Sequence, residues 1–152
     1  MQQKTLFLAL GLILLGGYFM KTGSPKGIRN NNPLNIEKGE DWIGMVGDDG
    51  RFVIFETVEH GLRAAGRILR TYAFRHGRTT INGIISRWAP PSENKTQNYI
   101  NFVSKRAGIP SDRPLAQAEY PKVMEAMIMM ENGEQPYSME TIQRGFDWGF
   151  NG

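Results

Sequence analysis

Glu131 is the residue whose type and position could do acid–base chemistry. It closes an apolar stretch, residues 120–137, in which Tyr120, Met124, Met127 and Ile128 recur at spacings of three and four and so share one helix face. Glu131 falls four residues after Met127 and three after Ile128, on that same face. Asn132 and Gly133 follow at once and suit a left-handed helix end. A carboxylate at the rim of an apolar surface loses hydration, and its pKa rises. A glycoside-cleaving site keeps its general acid protonated in this way. The plainer alternative is a solvated glutamate in a fraying last turn.

Breaking a glycosidic bond takes a proton for the leaving oxygen and a means of handling an oxocarbenium-like centre. Hydrolases commonly use a second carboxylate for the latter. Glu56, at the end of a β-type run, is the candidate taken forward; Glu59 and Glu93 are alternatives that also suit helix starts. Residues 27–36, GIRNNNPLNI, crowd Asn30, Asn31, Asn32 and Asn35 around Pro33. Their amides pair a donor with an acceptor, which suits sugar hydroxyls and N-acetyl groups. A capped turn would use the same residues. Tyr137 and Trp88 could stack on a sugar or belong to the core. Arg63, Arg67 and Arg70 form a basic stripe, either a solvated helix face or a contact for an anionic polymer or lipid surface.

These residues need elements to position them. The Gly47-Asp48-Asp49-Gly50 turn lies between short apolar runs and predicts a small β-hairpin. Thr57 is placed to cap a helix over residues 58–76, with Leu62, Ala65, Leu69 and Tyr72 inward. Thr80 opens a short helix that stops at Pro90-Pro91. A further helix follows with Tyr99, Ile100 and Val103 inward, ending at Gly108. The Glu131 helix comes next, and a last one begins after Ser138 with Ile142 and Phe146 inward. The soluble part is therefore expected to be α+β, mostly α, with one segregated hairpin.

A chain of 152 residues holds one domain with a real core. A net charge of +3 does not demand a nucleic-acid partner, and none specific is expected. Cysteine is absent and only His60 and His76 are present, so neither a disulfide nor a Cys- or His-rich metal site is expected. Residues 5–20 carry no charge and are bracketed by Lys4 and Lys21. A membrane anchor is the favoured reading, because the stretch has no polar face and no signal-peptidase motif. A signal peptide and a buried core helix are the alternatives. The expected division is a membrane helix over 1–21, a linker over 22–27 and the folded domain over 28–152.

GIRNNNPLNI, W-x-G, FVIFETVEHGLRA, ISRWAPPSEN and ENGEQPY, taken in order, resemble a family of phage virion-associated proteins. Its members occur in tailless membrane-containing phages and in prophages. Many carry only the label of structural protein, and they are regarded as lysozyme-like proteins that degrade peptidoglycan. Leu34 stands where the family pattern has Gly. The resemblance extends more loosely to lysozyme-like glucosaminidases, while the long GLMQ-containing signature of soluble lytic transglycosylases is absent. In those glucosaminidases the carboxylate-ending helix precedes the Asn-rich segment, whereas here it follows. A circularly permuted lysozyme-like order would account for this.

The resemblance implies a membrane-anchored glycan-cleaving enzyme, a muramidase or a lytic transglycosylase, without a cofactor. It would open the cell wall locally during genome entry. Glu131 and Glu56 would be catalytic, and Asn30, Asn31, Asn32, Asn35 and Tyr137 would bind substrate. The partners would be peptidoglycan strands, a lipid membrane and other virion proteins. The location implied is the virion's internal membrane, as a single-pass protein, and the host envelope during entry. A transglycosylase needs no second carboxylate, because the muramic C6 hydroxyl is its nucleophile. With one strong candidate acid, that reaction is preferred over hydrolysis. The competing reading is a non-catalytic minor virion membrane protein that binds cell wall or genome.

Overall fold

The computed structural model describes residues 23–89 and 92–152, the side chain of Glu93 apart. A short helix α1 (Lys26–Arg29) leads into a hairpin of β1 (Met45–Asp48) and β2 (Val53–Phe55). Five helices follow: α2 (Val58–His76), α3 (Ile81–Trp88), α4 (Glu93–Ala107), α5 (Tyr120–Asn132) and α6 (Met139–Asn151). A 3-10 turn (Gln117–Glu119) introduces α5.

Local chemistry sets the helix ends. The Thr57 hydroxyl accepts from the His60 N–H at 3.3 Å, Thr80 from Gly83 at 2.9 Å, and Ser138 from Thr141 at 3.1 Å. Each such cap stabilises its helix by about 1 kcal/mol. At their far ends α2, α4 and α5 run into Gly77, Gly108 and Gly133, all in the left-handed region. The strands pair antiparallel, Met45 opposite Phe55 and Asp48 opposite Val53, with a bulge between Met45 and Gly47.

α5 runs through the core. Val123, Met124, Ala126, Met127 and Ile128 are all fully buried, so the helix is covered on more sides than its single predicted face. α2 and α6 lie so close that glycine is required between them: a Cβ on Gly66 would stand 2.9 Å from the Phe146 carbonyl oxygen. Arg67 donates to Gly152 O at 3.1 Å, and Arg70 to Phe150 O at 2.6 Å. Two members of the basic stripe thus sit on the carbonyl end of α6, where cations are favoured. Arg63 lies over the Trp148 ring, 5.5 Å from its centroid.

The mostly helical architecture with one small hairpin is as expected, but the membrane helix requires correction. Among the described residues no helix is long and apolar enough to cross a membrane. This stands against both the N-terminal membrane helix and the single-pass location. The stretch that suggested them, residues 5–20, lies outside the described residues. α1 begins inside the segment read as a linker, and its Gly27 is buried.

Candidate active site

The Asn-rich turn is held by its own side chains. Asn31 and Asn35 adopt positive φ, 53° and 54°, which asparagine tolerates better than most residues. Asn32 is fully buried. Its Oδ1 accepts from Ile36 N, and its Nδ2 donates to Ile36 O and Val53 O, each at 2.9 Å. Asn31 Nδ2 donates to the carbonyls of Phe55 and Glu56. Asn30 Nδ2 donates to Asp49 Oδ2 at 2.9 Å. Asp49 also accepts from the Phe52 and Arg51 amides, which hold its carboxyl down at about 2. These three asparagines therefore bind the turn to the hairpin, and Asn32 has no surface left for a sugar.

Asn35 has a different role. Its Nδ2 donates to Glu131 Oε1 at 2.9 Å, across 96 positions of sequence. The second carboxyl oxygen, Oε2, accepts from the Tyr99 hydroxyl on α4, also at 2.9 Å. Burial pushes the Glu131 carboxyl above the ordinary glutamate range, while the two hydrogen bonds oppose the rise. Tyr99 is itself buried. Burial, and then the neighbouring Glu131, push its hydroxyl well above the usual tyrosine range, so it stays a proton donor in this pair.

The backbone beneath this cluster is unusually tight. Asn132 Nδ2 donates to Pro33 O at 2.8 Å and to Ile128 O at 2.9 Å, fastening the Asn-rich turn to the end of α5. The side-chain oxygens of Asn35 and Asn132 are buried without a hydrogen-bond partner among the described residues. Both face Gly27: a Cβ there would lie 3.0 Å from Asn35 Oδ1 and 2.5 Å from Asn132 Oδ1. Only glycine leaves room for α1 against these oxygens.

Glu56 is exposed at the end of β2, and no hydrogen bond among the described residues joins it to the Glu131 cluster. Glu59 faces Arg144 at 3.6 Å. Glu93 falls outside what is described of side chains. Tyr137 is half-buried against the core, and burial pushes its hydroxyl up to about 12. The structure therefore brings together Glu131 and Asn35 from the expected set, and it adds Tyr99. In sequence Tyr99 reads only as an inward residue. The available signal was that a buried tyrosine hydroxyl needs a partner.

Asn35 also lines a groove of about 740 Å³ that runs between the residues after the Asn-rich turn and α2–α3. Its walls include Trp42, Tyr72 and Trp88, the carboxylates Glu37 and Glu40, and the cations Arg67 and Arg87. Glu131 does not line this groove itself; Asn35 is the link between the two. Tyr72 and Trp88 meet edge to face, 6.0 Å between centroids. Glu37 is paired with Arg51 at 2.9 Å. Among the described residues no group of three or more His, Cys, Asp or Glu could hold a metal ion.

No protein-family model matches the chain. Over 133 residues it is 52% identical to Protein P5 of Pseudoalteromonas phage PM2, covering 84% of this chain and 83% of that protein.

Proposed function

The chain belongs to the family of that phage Protein P5, and from this premise we propose that it is a virion-associated enzyme that cleaves peptidoglycan glycan strands, with Glu131 as the general acid. The observation that carries the reading is the Glu131 environment. The carboxyl sits at a helix end, raised by burial, with a neutral donor on each oxygen and no cation bonded to it among the described residues. A carboxyl held in this way stays protonated further toward neutral pH and can deliver the proton in a fixed direction.

In the reaction Glu131 gives its proton to the glycosidic oxygen as the bond to C1 of the muramic sugar breaks. No second carboxylate is bonded into this cluster among the described residues, which favours the transglycosylase course over hydrolysis. Glu131, now ionised, takes the proton of the muramic C6 hydroxyl as that oxygen closes on C1. The acid is restored and a 1,6-anhydro end is left. The Asn35 amide and the Tyr99 hydroxyl stabilise the intervening carboxylate. From the bond cleaved at Glu131 the strand would continue past Asn35 into the groove, where Trp42, Tyr72 and Trp88 offer ring surfaces to sugars.

The test is digestion of purified murein by the full chain and by Glu131→Gln, with products identified by mass. Anhydro-muropeptides released by the parent and missing from the variant support the reading. Reducing ends would assign hydrolysis instead. Retention on murein with no cleavage by either protein would replace the enzyme with a wall-binding protein.

A further inference from the structure

We propose that the end of the groove away from Asn35 is a subsite for a carboxylate carried by the glycan, so that the protein selects acidic murein over neutral amino-sugar polymers. This rests on the glycan-binding reading above and adds what the strand must carry. Two side chains from two helices meet the Tyr72 ring there: His76 from α2, and Arg87 from the last turn of α3. Arg87 is exposed and lies over the Tyr72 ring, 5.4 Å from its centroid. That contact and a hydrogen bond to the Tyr72 side chain fix the guanidinium, whose further N–H donors can serve a ligand. Among the described residues Arg87 forms no salt bridge with an acid. The His76 ring meets the same Tyr72 edge on at 6.4 Å.

The opposite end of the groove has the other sign. Glu37 and Glu40 line it, and its cation Lys38 is already drawn to Asp48 at 3.8 Å. A strand laid along the groove would thus meet the carboxylates that follow Asn35 and, beside Trp88, the Arg87 guanidinium, which has no acid partner among the described residues. A carboxylate accepting two N–H bonds from Arg87 matches that far end in charge and in geometry. A neutral sugar chain would leave the cation unanswered. Two parts of murein carry such a group, the lactyl ether of the muramic sugar and the acidic peptide stem, and the shared chemistry is the carboxylate.

Binding of the full chain is measured to three insoluble polymers: peptide-bearing murein, murein stripped of its peptides so that only lactyl carboxylates remain, and chitin. The Glu131→Gln form is run in parallel, so that cleavage does not deplete the polymer. The protein should bind at least one murein form about tenfold more tightly than chitin, the scale of one charge-assisted hydrogen-bonded contact. Arg87→Gln together with His76→Gln should remove that margin and leave chitin binding and the thermal transition unchanged. A margin that survives stripping assigns the lactyl carboxylate; one that disappears assigns the peptide. Equal binding to all three polymers, binding to none, or a margin untouched by the double substitution overturns the subsite. Glu131 is not altered by the double substitution, so a protein that fails to cleave yet keeps the binding margin refutes the enzyme and not the subsite.

Discussion

Two glutamates on α5, six positions apart, show how one helix prepares carboxylates for opposite tasks. Glu125 accepts from both the Nε and Nη2 of Arg106, at 2.9 and 2.8 Å, and from Gln135. The guanidinium holds its carboxyl below the ordinary range. Among the described residues Glu131 is hydrogen-bonded only by an amide and a phenol, so burial dominates and its carboxyl moves up. The difference lies in the partner and not in depth alone. A guanidinium offsets the loss of water for the charged form, whereas neutral donors offset only part of it. Glu125 is a fastening between α4 and the end of α5; Glu131 is a carboxyl that can hold and release a proton.

The sharpest way to break this comparison is to neutralise each in turn. Glu131→Gln should reduce murein cleavage by about 100-fold or more, the scale of lost general acid catalysis, while the fold holds. Glu125→Gln should keep most of the cleavage and lower stability by about 1 kcal/mol or less, as expected for a partly exposed ion pair. If the activity losses come out reversed in a murein clearance assay, the roles assigned to the two ends of α5 are wrong.

Gly27→Ala attacks the support beneath Glu131. The added methyl meets the Asn132 oxygen and the Asn32 carbonyl, forcing α1 off the end of α5. A loss of about 1–3 kcal/mol in denaturant unfolding is expected, with a fall in cleavage beyond what unfolding explains. An unchanged protein would show that this contact does not position Asn35.

Tyr99→Phe tunes the acid without removing it. The hydroxyl favours the ionised form of Glu131, so its loss should let the carboxyl pKa rise further. The pH–rate profile for kcat should move its acid-form limb to higher pH, with a smaller rate loss than Glu131→Gln. A profile that stays in place would remove Tyr99 from the site.

The smallest effect is on stability against pH, and its sign separates the two residues. The folded pKa of Glu131 is raised, so its contribution is complete below the unfolded value, about 4.3, and is lost as pH climbs through the folded value. The folded pKa of Glu125 is lowered, so its contribution is present above that same unfolded value and fades as pH falls through the folded one. Glu131→Gln should therefore flatten the fall in stability that begins just above the unfolded value, and Glu125→Gln the fall just below it. Matching slopes from the two variants would mean that both carboxyls sit in the same kind of environment.

Local chemistry was legible in the order of residues. Thr57, Thr80 and Ser138 cap helices because a hydroxyl just before an apolar period has one favourable use. Gly77, Gly108 and Gly133 end helices because a left-handed residue is needed there. The hairpin, the inward stripe of α2 and the placing of Glu131 at the end of an apolar helix follow from periods of two and 3.6. Tertiary structure decided which polar groups meet. Nothing in the spacing of Asn30, Asn31, Asn32 and Asn35 separates the three that hold the hairpin from the one that reaches Glu131. Nor does it reveal that Tyr99, thirty-two positions earlier, turns its hydroxyl to the same carboxyl. Arg67 and Arg70 read as a free basic face until α6 brings its carbonyl end onto them. Helix period sets the direction of a side chain, but a hydrogen bond across 96 residues depends on how helices pack, which no local pattern encodes.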